Sequence, residues 1–217
     1  PSLPEKAPRL PRSVYADLRA AAAPGQLDRV AAAYAVAGDA MAAGDLPRAL
    51  EVLRWAKSVA PRSSAVREAL GVALYLSGDF AAAHSELLAY RRLSGRTDQN
   101  HLLADCARAA GRHDRVAEYV MAMDPAIDGR DRVAEGLIVL AGDRADRGDL
   151  RGAMAALERA ADTSQGVEPH HVRVWYAAAD IAERMGDHER LRDYLEAIVA
   201  VDPDFLDAAE RLEALQS

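Results

Sequence analysis

Residues 41–61, MAAGDLPRALEVLRWAKSVAP, decide how the chain folds. Good helix formers surround a Gly-Asp pair, Gly44 and Asp45, and the stretch stops at Pro61. Glycine readily adopts the left-handed conformation that ends a helix, and aspartate caps the next helix by accepting hydrogen bonds from its free N–H groups. The stretch therefore predicts two helices joined by a tight turn.

The same break recurs along the chain at intervals close to 34 residues. Intact Gly-Asp pairs mark it, with one degenerate copy, GRHD, that begins at Gly111. The turn glycines are Gly44, Gly78, Gly111, Gly148 and Gly186, so the successive spacings are 34, 33, 37 and 38 residues. Helical stretches flank each turn, which predicts five helix–turn–helix units that bury their apolar faces against one another. The longer spacings predict interruptions of the regular stacking around residues 124–131 and 162–169.

The composition agrees with an all-helical fold and argues against several classes of protein. Long β-branched runs are absent, so strands have little support. The net charge of −7 argues against a nucleic-acid surface, and no apolar run reaches the about 18 residues of a membrane span. The single cysteine, Cys106, excludes an internal disulfide. We therefore expect no nucleic-acid or membrane partner. A cytoplasmic protein is expected, and the arginine-rich composition is typical of a G+C-rich, bacterial genome.

The repeats resemble the tetratricopeptide repeat (TPR) over about residues 27–203. In segment 64–78, SAVREALGVALYLSG, Leu70 and Gly71 stand eight and seven positions before the turn glycine, as they do in the family. The family's tryptophan, eleven positions before the turn, occurs once, as Trp175. The family's alanine, five positions after the turn, is present at Ala49, Ala83 and Ala153. The resemblance implies an all-α, right-handed superhelical solenoid of about five helix–turn–helix repeats.

The remaining segments are assigned around the repeats. Residues 1–12, PSLPEKAPRLPR, contain four prolines and are predicted to be an extended linker or tail. Residues 13–217 are predicted to form a single solenoid domain. Within it, a lead-in helix is expected at 13–23. A capping helix with one apolar stripe is expected at 204–216.

The resemblance also implies a binding surface, because the first helices of the pairs line a concave groove in TPR arrays. The groove positions of the family, carried over to this chain, include Tyr34, Met41, Glu68, Val72, Tyr75, His101, Asp105, Arg108, Ile138, Tyr176, Asp180 and Arg184. The predicted groove is apolar and aromatic toward its N-terminal end and net acidic toward the other end. That gradient suits a peptide or an amphipathic helix with an apolar anchor and a basic flank. In the alternative interpretation, Tyr34 and Tyr75 pack against neighbouring helices with their polar tips in water.

A subset of the family holds the C-terminal carboxylates of partner tails with a clamp of lysine, arginine and asparagine. Tyr34, Gly38 and Asp98 stand at three of the clamp positions in this chain. None of these residues supplies the side chain that the clamp needs. An acidic tail is therefore not the expected ligand.

Few residues offer metal-binding or catalytic chemistry. Asp98, His101 and Asp105 are spaced to share one helix face, but a solvated polar face is the favoured interpretation over a metal site. His170 and His171 are interpreted as the polar start of a helix after a proline. No glycine-rich phosphate loop, GxSxG or HExxH motif occurs. The sequence therefore predicts no metal, no cofactor and no enzymatic activity.

One further stretch carries charges of alternating sign. It contains Asp143, Arg144, Asp146, Arg147, Asp149 and Arg151. Such alternation is typical of a solvated surface laced with ion pairs. We therefore expect these side chains to lie in water.

These observations favour a non-enzymatic scaffold or adaptor that binds a peptide or helix of another protein in its groove. A second hypothesis is a partner-sensing or regulatory domain of a larger regulator or enzyme complex, which the proline-rich start weakly favours. A third is a structural module that self-associates, so a homo-oligomer is possible.

Overall fold

A computed structural model describes residues 1–4, 9–164 and 166–215 of the chain. Within these residues the chain forms α-helices joined by turns and irregular segments, and no strand occurs. The predicted all-α fold is confirmed. No helix in the described part of the chain is both long and apolar enough to cross a membrane. The chain divides into two compact units, Pro1–Ala110 and Gly111–Ser217, and each is described by itself.

The first unit is a stack of helices that pack on their neighbours along the chain. Its helices are α1 (Arg12–Ala21), α2 (Leu27–Ala42), α3 (Leu46–Val59), α4 (Ser64–Leu76), α5 (Phe80–Ser94) and α6 (Asn100–Ala109). We call the helices before the turn glycines leading helices (α2, α4, α6) and those after them trailing helices (α3, α5). Leading helices also contact each other, α2 with α4 and α4 with α6, so they share one side of the unit. Helix α1 lies where the lead-in helix was predicted. Residues 5–8 of the predicted linker lie outside the described residues.

The second unit follows the same plan with two irregularities. Its helices are α7 (His113–Met121), α8 (Pro125–Asp128), α9 (Arg130–Asp146), α10 (Leu150–Glu158), α11 (Pro169–Met185), α12 (His188–Val201) and α13 (Ala208–Ala214). Leading helices α9 and α11 contact each other, and α7, α10 and α12 are the trailing helices. The short helix α8 falls where the first interruption was predicted, and an irregular segment between α10 and α11 falls at the second. Residue 165 of that segment and residue 216 of the predicted capping helix lie outside the described residues.

The turns have the backbone geometry that their glycines predict. All five turn glycines have positive φ angles, from 67° at Gly111 to 83° at Gly148. The aspartate after each of the other four turns accepts a hydrogen bond, at 2.9–3.1 Å, from the backbone N–H three residues later. Arg112 takes the aspartate's place before α7 and provides no side-chain cap. The degenerate copy therefore keeps the turn but lacks the cap.

A close approach of two helices explains the glycine in the middle of α4. A Cβ atom on Gly71 would lie 2.7 Å from Cγ and Cδ2 of Leu87 and 3.2 Å from the Leu87 backbone nitrogen, on α5. Gly38, in the middle of α2, has open space instead, because no heavy atom apart from its chain neighbours and the backbone of its own helix lies within 4 Å of the corresponding position. The two glycines therefore have different roles although both lie in leading helices.

We predict opposite effects of alanine at these two positions. Gly71→Ala should lower the free energy of unfolding by about 1–3 kcal/mol, because the new methyl group overpacks the contact between α4 and α5. Gly38→Ala, the matched control, should raise it by about 0.5–1 kcal/mol, because alanine is the better helix former and nothing obstructs it. Urea denaturation of both variants measures the difference. Equal changes in the free energy of unfolding for the two variants would show that α4 and α5 accommodate the methyl group at residue 71 without loss of stability.

Glu86 joins three helices of the first unit through a buried carboxylate. It accepts hydrogen bonds from Lys57 Nζ of α3 at 2.5 Å and from Arg67 Nη1 of α4 at 2.6 Å. The side chain of Glu86 is only 8% exposed. Burial alone would raise the pKa of Glu86, but the hydrogen bonds and charges of Lys57 and Arg67 outweigh it and lower the pKa. Folding of the first unit therefore favours the ionised form of Glu86.

This arrangement predicts an acid-sensitive contribution to stability. A carboxyl whose pKa is lowered by folding stabilises the protein above its unfolded pKa, about 4.3 for glutamate, and that contribution disappears as the pH falls through the folded pKa. Glu86→Gln should therefore lower the thermal unfolding temperature at neutral pH and reduce its decline in acid. Calorimetric scans of both proteins over this pH range provide the test. Parallel curves for the two proteins would exclude the linkage.

The structure corrects the interpretation of Asp143. Its side chain is completely buried rather than solvated. His113 of α7 donates to Asp143 Oδ1 through Nδ1 at 2.6 Å, and Arg147 Nη2 donates to Oδ2 at 3.0 Å. The charge pattern of α9 could not show this, because one partner comes from a different helix. Asp146, Arg147 and Asp149 of the same stretch are exposed, as expected.

Candidate functional site

Helix α1 packs on two leading helices of the first unit and covers the N-terminal turn of α4. It contacts both α2 and α4, and its Leu18 is fully buried in the apolar core. Asp17 of α1 accepts hydrogen bonds from the backbone N–H of Ser64, at 3.1 Å, and of Ala65, at 3.2 Å. It also accepts from the hydroxyls of Ser63 and Ser64. The chain's own lead-in helix therefore caps α4 and lies on part of the predicted groove.

Tyr34 belongs to this covered part of the groove. It is half-buried and packs against the core of the first unit. Burial, followed by the nearby carboxylates of Glu68 and Asp17, raises the pKa of Tyr34 above its ordinary value. The tyrosine therefore stays un-ionised, and its environment is formed by α1 and α4 rather than by open solvent.

The C-terminal turn of α4 carries exposed apolar side chains. We call Val72, Tyr75, Leu76 and Phe80 the apolar patch. Leu76 is 55% exposed and Phe80 is 37% exposed, while Val72 and Tyr75 are half-buried. The rings of Tyr75 and Phe80 meet edge to face with their centres 5.4 Å apart. Half-buried Met41 occupies the equivalent position of Tyr75 on α2.

Polar bridges connect neighbouring leading helices beside the patch. The hydroxyl of Tyr75 donates to Asp105 Oδ2 of α6 at 2.7 Å, and Arg108 lies 3.9 Å from the other oxygen of Asp105. Farther along, Gln99 Nε2 donates to Glu68 Oε1 at 2.8 Å. The hydroxyl of Tyr75 is therefore hydrogen-bonded to the next repeat. Tyr75 packs against a neighbouring helix, as in the alternative interpretation, but its hydroxyl meets a carboxylate instead of water.

The structure does not gather Asp98, His101 and Asp105 on one helix face. Asp98 precedes the first residue of α6 and is only 2% exposed. Its carboxylate accepts hydrogen bonds from the hydroxyl of Tyr90, at 2.7 Å, and from Arg96. His101 and Asp105 remain half-buried on α6. Within the described ranges no group of three or more His, Cys, Asp or Glu residues is placed to hold a metal ion.

In the second unit the predicted groove residues also bridge neighbouring helices. The Tyr176 hydroxyl of α11 donates to Asp207 Oδ1 at 2.8 Å, just before α13. Arg184 Nη2 of α11 donates to the carbonyl oxygen of Ala145 on α9 at 2.7 Å. Ile138 is half-buried on α9. Each predicted residue lies on a leading helix, but Tyr176 and Arg184 direct their polar groups to adjacent elements.

Arg211 is a component of this surface that the sequence analysis missed. From α13 it donates to Asp180 and to Glu183 of α11, each at 2.8 Å. Its guanidinium carbon also lies 5.3 Å from the centre of the Tyr176 ring. The groove positions of the family are defined by their distance before a turn glycine. The printed sequence has no turn glycine after α13, so none of the predicted groove positions falls on Arg211. Its charge partly neutralises the end of the groove that was predicted to be acidic.

No protein-family model and no curated protein matches the sequence. Solved structures do match its fold. YrrB, a TPR protein with an unusual peptide-binding site, is 15% identical with a TM-score of 0.56, and the match covers 82% of this chain and 88% of YrrB. TTC0263, a thermophilic TPR protein of Thermus thermophilus, is 16% identical with a TM-score of 0.58 over 85% of this chain and 97% of that one.

A third match is a putative kinesin light chain of Podosopora anserina with nearly identical TPR-like repeats. It is 17% identical with a TM-score of 0.65, and the match covers 84% of this chain and 97% of that one. All three structures are built from the repeat that the Gly-Asp turns and Gly71 predicted. Their agreement with the helix order described above confirms the resemblance at the level of structure: this chain has the tetratricopeptide-repeat fold.

Proposed function

We propose that the protein is a non-enzymatic scaffold that binds a peptide or a helix of a partner protein on its leading helices. The observation that carries the proposal is the apolar patch of the first unit. Leu76 is 55% exposed on a leading helix, although apolar side chains of this size are usually buried. The patch includes the ring of Tyr75, which is held in place by the hydrogen bond of its hydroxyl to Asp105. Aromatic side chains held in this way bind partners at small entropy cost.

The partner is expected at the C-terminal turns of the leading helices rather than along their whole length. Helix α1 covers the N-terminal turn of α4, where Asp17 occupies the free N–H groups. At the C-terminal end of α4, Leu76 and Phe80 can accept an apolar anchor, and Asp105 lies next to Tyr75. A carboxylate beside an apolar patch favours a partner segment with an apolar residue followed by a basic one. The peptide-binding site that YrrB possesses is consistent with such a role.

Two matched leucine variants test the proposal. Leu76→Asp places a charge in the patch on leading helix α4, and Leu93→Asp makes the same change on trailing helix α5, where Leu93 is 41% exposed. Both side chains are exposed, so each variant should remain within about 0.5 kcal/mol of the parent in stability. Proteins captured by the parent from a lysate of its native cells should still bind Leu93→Asp and be lost with Leu76→Asp.

The strength of the loss can be estimated. Burying a charge in place of an interface anchor typically costs about 2 kcal/mol or more, which is a loss of about 30-fold in affinity. Once a partner is identified, calorimetric titration with the three proteins measures this factor. Equal capture by both aspartate variants would contradict the patch as the binding surface. A product released from a candidate substrate by the purified chain would contradict the non-enzymatic role.

A further inference from the structure

A small cavity in the second unit lies at the two places where the repeat spacing is longest. It has a volume of about 140 Å³. It is lined by the start of α8, the N-terminal part of α9, residues after α10 and the start of α11. Its apolar lining consists of Pro125, Val133, Ala134, Leu137 and Ala160. Its polar lining consists of Arg130, Arg159, Asp162, His170 and His171. The cavity therefore combines an apolar floor with a rim that contains two cations.

The two histidines lie in the first turn of α11, after Pro169, as the sequence predicts, and both are buried. His171 uses both ring nitrogens within the protein: Nδ1 accepts from the Glu168 N–H at 2.8 Å, and Nε2 donates to the Asp162 carbonyl oxygen at 3.1 Å. Its ring also stacks on Trp175, with the centres 5.8 Å apart. His171 is therefore a structural residue that joins the segment after α10 to α11.

His170 is different, because its ring has no hydrogen bond to the described residues. It is only 6% exposed, and its nearest polar neighbour is a Glu168 oxygen, 3.4 Å from Nδ1 in a geometry that forms no hydrogen bond. Burial lowers the pKa of His170, which favours the neutral form of its ring. Its nitrogens are not among the described buried side-chain atoms that lack a partner, so they are open to solvent, and a molecule in the cavity that the ring lines can pair with them.

The charges at the rim are unequally paired. Arg130 lies 3.5 Å from Glu168, and both carboxylate oxygens of Asp162 bind Ser164. Arg159 Nη1 donates to the sulfur of Met121 at 3.3 Å, and none of the carboxylates in the described ranges is within ion-pair distance of Arg159. One guanidinium at the mouth is therefore available to an incoming anion.

We propose that this cavity binds a short aliphatic carboxylate, with its apolar body on the floor and its carboxylate against Arg159 and His170. The volume sets the size, since an apolar cavity of about 150 Å³ holds benzene, a molecule of six heavy atoms. The charges at the rim determine which headgroup of the ligand can bind. A monoanion suits one available guanidinium, whereas the carboxylates of Asp162 and Glu168 repel the second charge of a phosphate. Isobutyrate, with six heavy atoms, meets both requirements.

The test compares isobutyrate with isobutyramide, which has the same shape and no charge. In NMR titrations of the full chain, isobutyrate should give saturable shifts of the His170 ring signals and of the backbone amides of Arg159, Ala160 and Asp162. Isobutyramide should bind at least about tenfold more weakly, because it lacks the charge-assisted hydrogen bond to Arg159. N-acetylvaline presents the same carboxylate on a larger body. Its failure to bind would identify a free acid as the ligand, and its binding would identify a chain terminus.

Three variants locate the site. Arg159→Gln should weaken isobutyrate binding about tenfold, whereas Arg151→Gln, eight residues earlier and about 12 Å away along α10, should leave it unchanged. Asp162→Asn should strengthen binding, because a repelling charge is removed while an oxygen remains for the Ser164 N–H. Both arginines are exposed, so thermal unfolding should be unaltered in their variants. Equal affinities for acid and amide, or an unchanged affinity in Arg159→Gln, would overturn the proposal.

Discussion

Leu18→Ala is expected to detach α1 from the first unit while the repeats stay folded. Leu18 is the single fully buried residue of α1, all of which the structure describes. Truncating a buried leucine to alanine typically costs about 2–5 kcal/mol. A helix of ten residues does not persist in water without tertiary contacts. Most of the free energy that holds α1 in place is therefore lost with this one side chain.

Hydrogen exchange read out by mass spectrometry measures the detachment. The backbone amides of α1 should exchange at least about 30-fold faster in the variant, corresponding to the lower limit of about 2 kcal/mol. The amides of Ser64 and Ala65, which donate to Asp17, should lose protection with them. Tyr15→Ala is the control, since Tyr15 is 39% exposed on the same helix. Unchanged protection of α1 in Leu18→Ala would mean that other contacts hold the helix.

The same variant separates the two parts of the predicted groove. Detaching α1 uncovers Tyr34 and Glu68 without touching the apolar patch. A partner that binds only the patch should bind Leu18→Ala and the parent equally. A partner that extends along the whole groove should bind the variant more tightly, because it no longer competes with α1.

Asp143→Ala is expected to lower the free energy of unfolding of the second unit by about 2–4 kcal/mol. Removing one partner of a fully buried ion pair costs about 3–5 kcal/mol, because the other charge is left without water or a counterion. Here His113 and Arg147 are 43% and 48% exposed, so both can turn partly to solvent. We therefore expect a slightly smaller loss of stability than for a fully buried ion pair. This loss includes the contact between α7 and α9.

Urea denaturation of Asp143→Ala beside Asp146→Ala tests this prediction. Asp146 is exposed on the same helix, and its replacement should change the stability by less than about 0.5 kcal/mol. Asp143→Asn adds a finer comparison, because it keeps the size and one acceptor oxygen but removes the charge. It should fall between the parent and Asp143→Ala. Similar stabilities for Asp143→Ala and Asp146→Ala would contradict a structural role for the buried carboxylate.

The repeat architecture could be predicted from sequence because its signals are local. A glycine with positive φ and an aspartate cap occupy adjacent positions, and they recur often enough to be recognised even where Arg112 replaces the aspartate. The small residue at Gly71 is likewise set by its fixed distance from the turn. Helix order and helix boundaries follow from such short-range rules.

The details of the candidate site could not be predicted, because they depend on contacts between distant parts of the chain. In the sequence Asp143 is one charge among many, and only in the folded chain does His113 of another helix bind it. Arg211 reaches Asp180 from a helix that no turn glycine marks. The docking of α1 through Asp17 depends on N–H groups more than 40 positions later in the sequence. No spacing rule connects such residues, so only the folded chain reveals them.

Helix α13 is packed less firmly in the second unit than its neighbour α12. Among its described residues it buries only Ala208, whereas neighbouring α12 buries Leu191, Leu195 and Ile198. In stacked repeats each element is stabilised by its neighbours, so a helix that buries little apolar surface opens more readily than a well-buried one. When α13 opens, Arg211 leaves with it, and Asp180 and Glu183 are exposed without their counter-charge. Such an opening would leave the surface of α11 more acidic, so the net charge of that surface is coupled to the packing of α13.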